Sequence, residues 1–230
     1  MKSLVRLSLT LIAVLLISGC SSLDSIGLTN SSGFIELPFP SSNYAIGQVV
    51  EIRSSPVKVE ITFDPAIPAD QVAIPEGWNI STETLNSISA KTSLQMSKII
   101  SENSNQIGTE KILVTLSDIK TRMVPKYTLY KYLQEGLKKN PELNTMIKNY
   151  IDSGTKFNVI TQITSAKISF TIIGTSGTGA TIDADLLKKI NSRMNTNFVQ
   201  GDDKKTYISG SLIIGFIADP KMMKTLTLPK

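Results

Sequence analysis

Alternating apolar and polar side chains mark the strands of this chain, most clearly over residues 57–63. Val57, Val59, Ile61 and Phe63 are apolar and are separated by polar residues. Successive side chains of a strand point to opposite faces, so this pattern predicts a strand with one buried and one solvent-facing side. Similar patterns predict strands at residues 34–37, 48–52, 111–119, 157–163, 168–172 and 207–217.

Prolines and small residues set the expected ends of several strands. Pro38 and Pro40 are expected to stop the first one. Ser165 and Ala166 are expected to divide residues 157–163 from residues 168–172. The sequence therefore predicts short strands joined by turns.

Helical spacing of apolar residues predicts a helix over residues 82–102, with Ser81 as its N-cap. The rest of its surface is rich in serine and threonine, which weaken an isolated helix, so packing must hold it. A membrane-inserting hairpin would have a similar composition, and that alternative stays open. The expected buried positions are Leu85, Ile88, Met96 and Ile99, with Thr92 in the gap between them.

Three further helices are predicted, over residues 125–140, 142–152 and 183–195. Strands and helices in mixed order predict an α+β fold with an antiparallel or mixed sheet and packed helices. The order strand, turn, strand, loop, helix, strand occurs over residues 48–124 and again over residues 157–220. This repetition suggests two related ββαβ lobes, although chance explains the order equally well.

The N-terminal segment combines a basic start, an apolar run and a cysteine. Lys2 and Arg6 begin it, and the apolar run over residues 7–17 is too short to span a bilayer as a helix. Two small residues then stand directly before Cys20, the one cysteine of the chain. This segment resembles the lipobox of bacterial lipoproteins that are cut by signal peptidase II. An ordinary signal peptide, or a buried helix with an incidental cysteine, is the alternative interpretation.

The resemblance implies that Cys20 carries a diacylglyceryl group and fatty acid such as palmitate, and becomes the N-terminus when residues 1–19 are removed. More than one acyl chain makes such membrane anchoring stable. Ser21 and Ser22 stand where enteric lipoproteins retained in the inner membrane tend to have aspartate. The resemblance therefore implies the periplasmic face of the outer membrane.

The chain divides into six segments by composition and pattern. Residues 20–32 are rich in serine and almost uncharged, which predicts a flexible tether that reaches at most ~40 Å. Residues 33–125 form the first predicted lobe, and residues 126–155 form a helical connector. The remaining segments are the signal peptide at 1–19, the second lobe at 156–220 and a tail at 221–230.

The charge and composition of the chain exclude several classes of partner, catalytic site and metal site. Loss of Lys2 and Arg6 with the signal peptide lowers the net charge from +5 to +3, and no long basic run is present, so nucleic acid is not an expected partner. The chain has no histidine. With Cys20 lipidated, Cys and His nucleophile systems, the Ser-His-Asp triad and the usual zinc, copper and haem ligand sets are excluded.

No cofactor is expected either. The glycine-rich residues 174–179 (GTSGTG) lack the lysine and hydroxyl of a P-loop and the spacing of a dinucleotide-binding loop, so a surface loop is predicted.

The chain is expected not to be an enzyme. The acids that a hydrolase would use are Glu36, Glu51, Glu60, Asp64 and Asp118, and no spacing forces any two of them together. The favoured hypothesis is a membrane-anchored accessory or assembly factor that binds an envelope protein. The alternatives are a carrier of a small ligand or lipid, and a membrane-disrupting or pore-forming subunit that uses residues 81–107.

Overall fold

The structure is a computed structural model that describes residues 33–54, 57–75, 79–103, 109–174 and 179–226. The predicted signal peptide, Cys20 and the tether over residues 20–32 lie outside the described residues, as do residues 175–178 of the glycine-rich loop. No helix in the described ranges is both long enough and apolar enough to cross a membrane.

The fold is α+β, as predicted, with an antiparallel sheet of eight strands. Strand Val57–Phe63 and helix Thr82–Asn103 agree closely with the expected positions. The elements in chain order are β1 (Phe34–Ser41), β2 (Val49–Ser54), β3 (Val57–Phe63), α1 (Thr82–Asn103), β4 (Thr109–Met123), α2 (Lys126–Lys139), α3 (Pro141–Asp152), β5 (Phe157–Gly174), β6 (Gly179–Ala180), α4 (Ala184–Met194), β7 (Val199–Gln200), β8 (Thr206–Asp219) and α5 (Met222–Thr225).

Strand β5 is the centre of the sheet. The strand order is β1-β8-β5-β2-β3, and β4 also pairs with β5, beyond the short stretch that β2 occupies. The short strands β6 and β7 pair with β5 and β8. Strands from both predicted lobes therefore belong to one sheet, while the division into two related lobes stays a prediction.

Two expected strand ends were wrong. Strand β1 continues through Pro38 and Pro40 because it is an edge strand, where a missing backbone N–H is tolerated. Strand β5 runs unbroken through Ser165 and Ala166, which are both buried and in register with Ile213 and Leu212 of β8. Small residues fit there because β5 is covered on both faces, so they do not signal a turn.

The sheet carries a core on each face. The first core lies between one face of the sheet and helices α2, α3 and α5, and it contains Ile163. The second core lies between the other face and helices α1 and α4, and it contains Ile168 and Phe170. Residues an odd number apart in a strand point to opposite faces, which separates the two cores. The predicted tail over residues 221–230 is part of the first core up to Leu226, since Met222, Met223 and Leu226 are buried.

Gly215 of β8 allows β1 to approach closely. A Cβ atom at this position would lie 2.2 Å from Cζ of Phe34 and 2.6 Å from the carbonyl oxygen of Ile35. We expect Gly215→Ala to lower the free energy of unfolding by about 1–3 kcal/mol, because the buried Phe34 ring must move. Thermal unfolding measures this, with Gly210→Ala as the control, since a Cβ there meets its nearest atom at 3.7 Å. Equal losses in the two variants would contradict the steric explanation.

Candidate functional site

The structure brings two of the five candidate acids together. Glu51 and Glu60 lie directly opposite each other on β2 and β3. The guanidinium of Arg53 lies 3.0 Å from Glu51 and 3.4 Å from Glu60, and the hydrogen bond to Glu51 raises the pKa of Arg53. This cluster is an ion-pair network on the hairpin of β2 and β3.

The other candidate acids are also held by partners. Asp64 accepts hydrogen bonds from Nε2 of Gln48 at 2.9 Å and from the backbone N–H of Ala66 at 2.8 Å. Oδ1 of Asp118 lies 3.0 Å from Nζ of Lys120, and that hydrogen bond lowers the pKa of Asp118. Within the described ranges no three His, Cys, Asp or Glu side chains are grouped so as to hold a metal ion.

Two open cavities bear on the carrier hypothesis. The larger has a volume of about 380 Å³, and Tyr44, Asp64 and Arg122 are among its lining residues. Burial raises the pKa of the Tyr44 hydroxyl. One acid and one arginine line this cavity, so it favours no particular ligand charge. The smaller cavity lies at the end of the sheet where β5 begins.

Helix α1 forms as the sequence predicted. The Oγ atom of Ser81 accepts a hydrogen bond from the backbone N–H of Thr84 at 3.2 Å, which confirms the N-cap. The predicted apolar positions face the second core, with Ile88, Met96 and Ile99 buried. Thr92 is 2% exposed, so a polar side chain does occupy the gap in the apolar stripe.

Polar contacts tie α1 to its neighbours. Glu36 of β1 is largely buried, and its carboxylate pairs with the Lys91 ammonium and accepts a hydrogen bond from the Ser87 hydroxyl at 3.2 Å. The Ser93 hydroxyl donates to the carbonyl oxygen of Ile112 in β4 at 2.7 Å. Glu36, a candidate hydrolase acid in the sequence, thus ties the middle of α1 to β1.

A second pattern runs through α1 that sequence analysis missed. Over residues 87–97, here called the alternating segment, the odd-numbered residues are all polar and the even-numbered residues are apolar except for Thr92, which is a period of two, as in a strand. In the helix this pattern leaves Leu94 58% exposed and Ala90 exposed, away from the buried stripe. The even-numbered set is Ile88, Ala90, Thr92, Leu94 and Met96, and the odd-numbered set is Ser87, Ser89, Lys91, Ser93, Gln95 and Ser97.

Strand β4 lies beside the alternating segment and has a free edge. Among the described residues β4 pairs along one side with β5, and on its other side only Met123 makes a bridge, to Ala73. Its even-numbered side chains Ile112, Val114 and Leu116 face the second core. Helix α1 packs against this strand and covers it. A long free edge is normally protected in this way, because unpaired backbone groups recruit other strands.

Comparison with known proteins found one weak similarity to report. No protein-family model matches the chain, and no curated protein matches it. Among solved structures it is similar to a bacterial gasdermin from Bradyrhizobium tropiciagri, with 11% sequence identity, a TM-score of 0.41 and coverage of 81% of each chain. At that level the match does not establish what this chain binds or does.

Proposed function

We propose that this chain is a lipid-anchored envelope protein that disrupts membranes. In the proposed active form α1 leaves the second core, and the alternating segment refolds as a strand along the free edge of β4. The observation that carries the proposal is the period of two over residues 87–97, in a segment that the structure places as a helix. The same segment also has the helical spacing that buries Ile88 and Met96, so its sequence is compatible with both a helix and a strand.

The resulting hairpin has the dimensions and pattern of a membrane-spanning one. The alternating segment has 11 residues, and a transmembrane β-strand needs about 9–11. In an antiparallel hairpin that pairs even-numbered with even-numbered residues, Ile88, Leu94 and Met96 share a face with Ile112, Val114 and Leu116. The opposite face carries serines and Lys91. Alternation of apolar and polar faces is typical of strands in membrane barrels.

The helical state of α1 is held by packing and by Glu36 rather than by its own sequence. Its many serines and threonines compete with helical hydrogen bonds. A lipid environment would bury Leu94, which the helix leaves exposed. A single inserted hairpin has unpaired edges, which hydrocarbon does not tolerate, so the proposed form requires hairpins of several copies to close a barrel.

The lipid anchor is part of the proposal. Removal of residues 1–19 and lipidation of Cys20 would keep the domain at a membrane surface, and the lipobox resemblance supports this. Location at the periplasmic face of the outer membrane, and the absence of enzymatic activity, stay predictions.

Measurements of dye leakage and of infrared spectra on the same samples test the proposed function. We expect the purified full chain to release a trapped dye from phospholipid vesicles. Infrared spectra of the same samples should show a loss of helix and a gain of strand, because residues 87–97 convert. Membrane binding without dye release and without a change of secondary structure would contradict the proposal.

Protein binding is a second candidate function, and β3 favours it. This strand ends the sheet, with β2 as its one paired neighbour among the described residues, and Ile61 on it is 43% exposed. An extended segment of a partner could pair with such an edge. Crosslinking in the native envelope followed by mass spectrometry tests this, and recovery of one stoichiometric partner is the expected result.

A further inference from the structure

The end of the sheet where β5 begins carries a second candidate functional site, in addition to α1 and β4. We propose that it binds an anionic phospholipid of the anchoring membrane, with the phosphate at two lysines and an acyl chain in a cavity. This cavity, here called the anchor-end cavity, has a volume of about 300 Å³. Its lining residues are Ile151, Thr155, Lys156, Phe157, Pro220, Lys221 and Met223.

The floor of the anchor-end cavity is apolar. Phe157 and Met223 are almost fully buried, and Ile151 of α3 is half-buried beside them. The ring of Tyr150 packs edge-on against Phe157, with ring centroids 6.3 Å apart. Such a surface offers an alkyl chain close contact and no polar group that would need a hydrogen bond.

Two lysine side chains line the same cavity. Lys156 and Lys221 are exposed, and neither makes an ion pair with any described residue. Asp219 does not neutralise them, because its carboxylate lies 2.7 Å from Nζ of Lys126. Burial acts to raise the pKa of Asp219, but the hydrogen bonds from Lys126 and the backbone outweigh it and lower the pKa. Asp152, the last residue of α3, is the nearby acid without an ion-pair partner among the described residues.

The position of the site fits a membrane-facing role. Phe34 at the start of β1 pairs with Ile217 near the end of β8, so Gly33 enters the domain at this end of the sheet. Gly33 is 13 residues after Cys20, the predicted lipid anchor. Two exposed tyrosines lie nearby, Tyr127 beside Lys126 and Tyr150 beside the cavity, at 84% and 48% exposure. Tyrosine and lysine are the side chains that favour the membrane–water interface.

The site is separate from the alternating segment. Phe157 and Met223 of the anchor-end cavity belong to the first core, whereas Ile88 and Met96 of the alternating segment belong to the second core, on the other face of the sheet. The phospholipid site itself does not depend on the conversion of α1.

Vesicle binding of residues 20–230 with Cys20→Ser, which lack both the lipid and the apolar run over residues 7–17, tests the site. The vesicles are phosphatidylcholine with or without phosphatidylglycerol, and binding is measured by co-sedimentation. Neutralising two lysines in Lys156→Gln/Lys221→Gln should weaken binding to the anionic vesicles roughly thirtyfold. Asp152→Asn should strengthen that binding several-fold. Circular dichroism checks that each variant is folded.

A matched control distinguishes binding at this site from general electrostatic attraction of the protein to anionic vesicles. Lys138→Gln/Lys139→Gln removes the same charge from the end of α2 and should leave vesicle binding almost unchanged. Equal weakening in both double variants, or none in either, would overturn the proposed site. Glycerol phosphate added in solution should not compete, and competition would show that phosphate alone is the ligand and overturn the phospholipid assignment.

Discussion

Replacement of Leu94 by lysine should slow vesicle leakage at least tenfold and leave the folded domain as stable as before. Leu94 is 58% exposed on α1, so a lysine there costs the helical form little. In the proposed hairpin the same position faces lipid, where a lysine costs roughly 2–4 kcal/mol at the bilayer midplane. A cost of about 1.4 kcal/mol slows a rate roughly tenfold, so the initial rate of dye release should fall at least tenfold. The melting temperature should stay the same.

Gln95→Lys is the matched control for this variant. It adds the same charge one position along α1, on the polar side of the alternating segment. We expect it to retain leakage. If Leu94→Lys leaks as fast as the unmodified chain, or if both lysine variants lose leakage equally, the two faces of the segment do not have the roles proposed here.

Replacement of Glu36 by glutamine should loosen α1 and no other part of the sheet. The carboxylate is largely buried and serves both Lys91 and Ser87, so its loss leaves a partly buried ammonium without a counter-charge. Breaking a fully buried pair costs about 3–5 kcal/mol, and the remaining exposure of Lys91 reduces this to roughly 1–3 kcal/mol. Amide hydrogen exchange in α1 should accelerate about 5- to 150-fold, while exchange in β5 is unchanged.

Two further variants check the role of Glu36. Glu83→Gln removes an exposed acid from the first turn of α1 and should leave exchange as it was. The double variant Glu36→Gln/Lys91→Gln should recover part of the protection, because no unpaired charge remains. Leakage by Glu36→Gln should be faster than that of the unmodified chain. Uniform acceleration of exchange across α1 and β5 would mean that Glu36 supports the whole fold rather than the helix alone.

Local patterns predicted most of the elements because their causes are local. The alternation over residues 57–63 and the helical spacing of Ile88, Met96 and Ile99 follow from which side chains must be buried. Strand ends depend on neighbours that are distant in sequence. Ser165 and Ala166 look like a turn until β8 is placed beside them, and Pro40 is tolerated only because β1 is an edge.

The candidate site was only partly predictable, for a physical reason. Residues 88, 92 and 96 are four apart, a spacing that suits one face of a helix and one face of a strand equally well. Leu94 is the position that separates the two patterns, since it fits the strand face and not the helix face. The role of Glu36 required the tertiary structure because Glu36 lies 51 residues before Ser87. The free edge of β4 required it because an edge is defined by which strands pair with β4.

A nitroxide accessibility scan of residues 87–97 tests the central claim most directly. Single cysteines can be introduced one at a time into the chain with Cys20→Ser, since Cys20 is the one natural cysteine. With vesicles present, we predict a period of two in the collisions of each label with oxygen, highest at positions 88, 90, 92, 94 and 96. A helical period of 3.6 residues, or no access to lipid at any position, would contradict the conversion of α1 into a membrane strand.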